Sequence, residues 1–155
     1  DSIEDIHIDE SIKQIKLNPI KDETDIYIAI QIAIEKGCNE FYIYGALGGR
    51  LAHTYANIQI LYYLKQKNMK AILFNNNEIV EMLHNELVSY SNIKGYISLF
   101  SYTPSSIISI KNLKYELDRK EIFFDFPLGL DNEFINEESS ITIHEGYVLS
   151  IINKK

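Results

Sequence analysis

The chain has 155 residues, 46% hydrophobic and 24% charged, which suits one compact domain or two small ones sharing an interface. A formal net charge of −7 excludes the basic stripe that nonspecific nucleic-acid binding requires. No apolar run approaches the roughly 20 residues of a bilayer span; with an acidic rather than signal-like start and a single Cys38, which rules out an internal disulfide, these features predict a cytoplasmic protein.

Residues 1–17 scatter Ile3, Ile6, Ile8, Ile12, Ile15 and Leu17 among charges with no single period, and Pro19 closes the segment. Lys21-Asp22-Glu23-Thr24-Asp25 follows. Residues 26–34, IYIAIQIAI, alternate strictly and by periodicity alone read as a strand. A helix is nevertheless predicted: Asp22 or Thr24 can cap it, Gly37 can end it, and a better strand, EFYIYGA at 40–46, comes next.

The glycine-rich stretch GALGGRLAHT occupies 45–54. Beyond it, residues 51–67 place Leu51, Tyr55, Ile58, Leu61, Tyr62 and Leu64 at helical spacing, which predicts an amphipathic helix. KAILF at 70–74 reads as a short buried strand, Asn75-Asn76-Asn77 as a turn, and 78–83 as a short helix or strand. Strands alternating with helices suggest a parallel sheet covered by helices.

Near residue 88 the pattern changes to short β-prone runs: GYISLF, SSIISI, NLKYEL, EIFFDF, SSITIH and GYVLSII. This is the pattern of an antiparallel sandwich or barrel. Residues 127–134, PLGLDNEF, interrupt the strands as a polar turn favoured by Gly129 and Asn132, and Glu145-Gly146 reads as the last hairpin turn. The predicted fold is an α/β part with a parallel sheet and flanking helices over 1–88, followed by a small antiparallel β-sandwich over 89–155.

Asp22 and Asp25 lie three apart, on one face of a helix. They can serve as helix-capping acids, or as ligands of Mg²⁺, which takes one or two carboxylates with phosphate oxygens and water. Lys21 beside them can neutralise phosphate charge. Gly45, Gly48 and Gly49 stand between a strand and a helix, where backbone amides can approach an anion, and Arg50 adds a planar fork for phosphate oxygens. The same glycines suit a plain tight turn with a solvent-facing arginine. His53 can bond a phosphate or simply cap the helix. His7, His84 and His144 have no metal-ligand spacing and are expected at the surface, and Cys38 is expected to be small and buried.

Taken in order, several stretches resemble the bacterial branch of the thiamine pyrophosphokinases. They are Pro19 with KDETD, GALGGRLAHT with Asn57-Ile58, Asn77-Glu78-Ile79, NLKYEL at 112–117 and PLGLDNEFI at 127–135. Asp1-Ser2-Ile3 resembles the tail of that family's Gly-Asp-Phe-Asp-Ser motif. The resemblance implies transfer of a pyrophosphoryl group from ATP to the thiamine hydroxyl, giving thiamine diphosphate and AMP. It also implies a nucleotide-binding α/β domain over 1–88, a thiamine-binding β-sandwich over 89–155, and a homodimer with thiamine between subunits.

By the same resemblance Asp1, Asp22 and Asp25 would hold Mg²⁺–ATP, Gly48, Gly49, Arg50 and Lys21 would meet the phosphates, and His53 and Asn57 would lie near the transferring group. Ser98, Asp131 and Asn132 would lie near thiamine or the nucleotide. The chain also departs from the family pattern. Ala52 stands where an aspartate is usual, Asp131 replaces a serine, Asn112 replaces a glycine, and the Asp-Gly-Gly motif with the first acidic aspartate is absent. The expectation is therefore a family chain lacking its N-terminal part and impaired in activity. The alternative is a non-catalytic thiamine- or nucleotide-binding protein on the same scaffold.

Overall fold

The computed structural model describes residues 24–136 and 138–155. Helix α1 (Asp25–Glu35) forms despite its alternating sequence because its ends are well specified. The Thr24 hydroxyl accepts the Tyr27 N–H at 3.2 Å, and the chain leaves through Gly37 at φ +87°. The alternating run also contains a helical face: Ile26, Ile30, Ala33 and Ile34 pack around Phe41, Ile60 and Leu64.

Strand β1 (Glu40–Tyr44) leads through the glycine turn to helix α2 (Leu51–Gln66), and β2 (Lys70–Phe74) returns parallel to β1. The face that α2 buries is Asn57, Ile60, Leu61 and Leu64, whereas Leu51 and Tyr55, expected on the apolar side, are exposed. Both belong to the first turns of the helix, before it meets the sheet. Leu61 packs with Leu73, Val80, Met82 and Leu149, and each such buried side chain contributes about 1.5–3 kcal/mol.

The remaining elements are strands: β3 (Glu78–His84), β4 (Leu87–Ser91), β5 (Gly95–Ser101), β6 (Ser105–Lys111), β7 (Leu117–Phe123), β8 (Gly129–Glu133), β9 (Glu138–Glu145) and β10 (Tyr147–Lys154). They complete a six-stranded sheet in the order β1-β2-β3-β10-β5-β8 and a four-stranded sheet in the order β4-β9-β6-β7. Among the described residues β1–β2 is the one parallel pair. The expected parallel sheet is therefore a mixed one, continued by antiparallel strands of the second half. The two sheets enclose a core of Ile97, Leu99, Val148 and Ile152 from one and Ile108, Ile141 and Ile143 from the other.

Three local expectations are corrected. Gly129–Glu133 is an edge strand paired with β5, not a turn, although Asp131 keeps a left-handed φ of +53°. Glu145-Gly146 does not close a hairpin but carries the chain from the four-stranded to the six-stranded sheet. A side chain at Gly146 (φ +84°) would come within 2.3 Å of the Ser106 hydroxyl. Cys38 is exposed, because it follows the helix-ending Gly37 outside the packed layers. No described helix is long and apolar enough to cross a membrane.

Candidate active site

Gly45, Gly48 and Gly49 have φ of +77°, +87° and +71°. A Cβ at any of them would meet nothing within 4 Å, so backbone conformation rather than crowding requires glycine here. Two side chains of α2 brace the turn. The buried Asn57 amide donates to the Ala46 carbonyl at 2.8 Å, and the Thr54 hydroxyl donates to the Gly48 carbonyl at 3.1 Å. Thr54 was passed over in the sequence; its only signal is its place one turn into the helix.

Arg50 occupies the N-cap position of α2, makes no side-chain cap bond, and is exposed. The first turn carries no acidic residue, so the positive end of the helix is uncompensated there. Ala52 and His53 are exposed in that turn, and the His53 N–H donates to the Arg50 carbonyl at 3.0 Å. The arrangement can receive a polyanion.

Asp25 is exposed in the first turn of α1, whose cap is Thr24. A cavity of about 290 Å³ lined by Thr24, Tyr27, Gln59 and Tyr63 places the start of α1 along the middle of α2. Asp1, Lys21, Asp22 and His7 lie outside the described residues. Among the described residues no group of three or more His, Cys, Asp or Glu could hold a metal. Asp25 is the described carboxylate of the expected set, a donor compatible with Mg²⁺ bound largely through phosphate oxygens and water.

In the β part, Ser98 and Asp131 are brought together. The buried Ser98 hydroxyl accepts the Asp131 N–H at 3.1 Å and donates to its carboxylate at 3.4 Å, leaving Asp131 exposed. Asn132 is buried and committed: it accepts the Tyr115 N–H at 2.9 Å and donates to the Tyr115 carbonyl at 2.7 Å. It thereby fixes Tyr115, whose ring is exposed and which sequence reading did not single out. These residues stand far from the glycine turn within one chain. β8 and β1 are opposite edges of the six-stranded sheet, five strand spacings apart, or about 24 Å at the usual spacing of about 4.8 Å.

Of the histidines expected at the surface, the two described ones, His84 and His144, are half-buried and bonded. His84 stacks on Tyr147 at 4.0 Å and contacts the Gly146 carbonyl through Nδ1 at 2.8 Å. His144 Nδ1 faces the Arg119 guanidinium at 3.2 Å, and its Nε2 lies 2.8 Å from the Ser109 hydroxyl. An arginine can only donate, so Nδ1 accepts and Nε2–H donates to Ser109. That tautomer cannot take a proton from the serine, which excludes a serine–histidine nucleophile pair.

Two family models match this chain. Residues 1–73 match the thiamin pyrophosphokinase catalytic domain, and residues 82–148 match the thiamin pyrophosphokinase vitamin B1 binding domain. The chain belongs to the thiamin pyrophosphokinase family. It is 28% identical over 135 residues to the thiamine pyrophosphokinase of Bacillus subtilis, covering 84% of this chain and 63% of that protein. The crystal structure of thiamine pyrophosphokinase from Bacillus subtilis is similar with a TM-score of 0.80 and 27% identity, covering 87% of this chain and 65% of that one. Yeast thiamin pyrophosphokinase, at 13% identity and a TM-score of 0.62 over 74% of this chain and 39% of its own, shares the fold. The chain thus spans somewhat less than two thirds of the Bacillus relative. Within the family's two models, the glycine turn and Arg50 fall in the catalytic match, and Ser98, Asp131 and Asn132 in the vitamin B1 binding match.

Proposed function

We propose that the chain acts as a thiamine pyrophosphokinase, moving a pyrophosphoryl group from ATP to the thiamine hydroxyl to give thiamine diphosphate and AMP. The observation that carries this reading is the braced glycine turn opening α2 beside an exposed Arg50 that is uncommitted among the described residues. Gly48, Gly49 and the first amides of α2 would cradle the phosphates, with Arg50 and Lys21 balancing charge. In-line attack by the thiamine hydroxyl on the β-phosphorus releases AMP and needs no protein nucleophile. A divalent cation, Mg²⁺ by preference, would neutralise the polyphosphate, with Asp25 holding it together with Asp1 and Asp22. His53 would lie near the transferring group, while Asn57 acts by holding the turn.

In this reading residues 1–88 handle the nucleotide and 89–155 bind thiamine, in a cytoplasmic protein. Asp131, steadied by Ser98, would face the cationic thiamine, and Asn132 would present Tyr115 to it. Because these groups and Arg50 sit at opposite sheet edges of one chain, a second copy would bring them together. Phe124, Phe126 and Leu128, exposed on the connection from β7 to β8, and Leu130 on β8 next to Asp131 supply an apolar surface for that homodimer. Replacing Phe124 and Leu130 with aspartate should give a monomer in light scattering and abolish turnover in parallel.

The direct test is chromatography after incubation with thiamine, ATP and Mg²⁺, with equal amounts of thiamine diphosphate and AMP expected. Ala52 favours the second reading, a binding protein without turnover. Ala52→Asp separates the two: a large gain in turnover marks an enzyme lacking one group, and no gain favours the binding role.

A further inference from the structure

Beside Asp131, on the edge strand of the six-stranded sheet, stands a second carboxylate that the proposed reaction leaves unused. Glu133 on β8 pairs with Tyr96 on β5, and Asp131 bonds to Ser98 two residues further along β5. Alternate residues of a strand share a face. The Lys155 ammonium touches both Tyr96 and Glu133, so the two carboxylates stand on the same face of the sheet.

The two are partnered differently. Asp131 meets only a hydroxyl and a backbone N–H among the described residues, and it is exposed. Glu133 is half-buried and shared by two cations: its Oε1 accepts from the Lys155 ammonium at 2.8 Å and its Oε2 from the Lys114 ammonium at 3.2 Å. Main-chain bonds hold both lysines in place. The Lys114 N–H donates to the Glu133 carbonyl and the Lys155 N–H to the Lys94 carbonyl, each at 3.0 Å. The Lys155 ammonium also lies 4.4 Å from the centre of the Tyr96 ring. Bonds from Lys155 and Lys114 keep the Glu133 carboxyl below the ordinary range, so it is ionised at neutral pH.

Exposed ion pairs of this kind contribute about 0–1 kcal/mol to stability, but they set the charge of the face. With Glu133 in place its two carboxylates and two ammonium groups cancel. Without it, the same face would be net positive. Thiamine is a cation, and its diphosphate is a net anion at neutral pH. We infer that Glu133 is a specificity-determining residue: it masks the Lys114 and Lys155 ammonium groups, so that the face around Asp131 favours cationic thiamine over its anionic diphosphate and holds substrate in preference to product. The inference rests on the placing of thiamine beside Asp131 and adds the group that sets the sign of the charge there.

The test is calorimetric titration of thiamine and of thiamine diphosphate, without ATP, into the whole chain and into Glu133→Gln, Lys155→Met and the double variant. Glu133→Gln is expected to weaken thiamine and tighten the diphosphate, each about two- to fivefold, the scale of an exposed charge pair. Both shifts should shrink in about 1 M salt. Lys155→Met should move the two ligands in the opposite directions, and the double variant, which restores the net charge, should bind both nearly as the parent does. Unchanged affinities in Glu133→Gln, or a change common to both ligands that Lys155→Met does not correct, would mean that Glu133 only shapes the edge strand. Either result overturns the inference while leaving thiamine beside Asp131. A parent that binds neither ligand, or an Asp131→Asn variant that binds thiamine as the parent does, removes thiamine from this face and the inference with it.

Discussion

The two halves of this molecule treat polar side chains in opposite ways. Around the glycine turn the chemistry-bearing groups, Arg50 and His53, are exposed and, among the described residues, held only by their backbone, while buried Asn57 keeps that backbone in shape. In the β part several buried polar groups bond to one another and to main chain, Ser101 with Ser106 at 2.7 Å, Ser106 with the Tyr147 carbonyl at 3.1 Å, and Asn132 with the N–H and carbonyl of Tyr115, while the Ser139 and Ser150 hydroxyls are buried without a partner among the described residues. A buried polar group that has found partners stabilises the fold but has little left to offer a ligand. Sorting by commitment therefore separates residues that can act from residues that position them.

The largest effect should come from the uncommitted side. Arg50→Ala is expected to lower ATP turnover about 10²–10³-fold, the scale of losing one fixed donor to a developing charge, and to shift stability by less than about 0.5 kcal/mol. Thiamine binding should barely change. Equal losses of ATP use and thiamine binding would break the contrast, since they would mean that Arg50 supports the fold rather than the phosphates.

Asn132→Ala tests the committed side. It strands a donor and an acceptor of Tyr115 and should cost about 2–4 kcal/mol in urea unfolding, one to two unsatisfied groups' worth. Asn57→Ala stands between the halves. With one bond to Ala46 lost, about 1–3 kcal/mol is expected, accompanied by weaker ATP use because the turn loosens. Full ATP use in a destabilised Asn57→Ala chain would show that the turn's shape does not depend on its brace.

This contrast also explains what could be read from the sequence. The glycine turn was legible because three left-handed positions demand glycine whatever surrounds them. Helix α1 was legible through Thr24 and Gly37, local signals that outweighed an alternating pattern. Strand β8 was not: Gly129, Asp131 and Asn132 are turn formers, and it is the distant Ser98, with its bonds to Asp131, and the pairing with β5 that draw them into a strand. The positioning roles of Asn57 and Asn132 were equally hidden. Their partners are carbonyls and amides 11 and 17 residues away, and no spacing rule encodes such contacts. The exposed Leu51 marks the converse failure, a helical period that continues past the place where the sheet stops covering it.

The smallest effect, and the one that sharpens the comparison most, concerns a committed group that is charged. Glu81, on β3 where the halves share a sheet, is pushed above the ordinary carboxylate range, chiefly by burial. The Tyr90 hydroxyl donates to it at 3.3 Å and lowers it in part, Glu86 raises it, and Lys65 and Lys70 oppose that rise. A carboxyl whose folded pKa is raised binds its proton more tightly in the native state. Its contribution is therefore fully present below the unfolded value of about 4.3 and is lost as pH rises through the folded one. Glu81→Gln keeps an acceptor for Tyr90 and removes the charge, so the variant should be more stable than the parent near neutral pH. The advantage should shrink on acidification and vanish below the unfolded pKa. Urea midpoints followed across that window decide it: parallel curves for parent and variant would mean that Glu81 carries its charge without penalty, and that burial and commitment are not the same thing in this sheet.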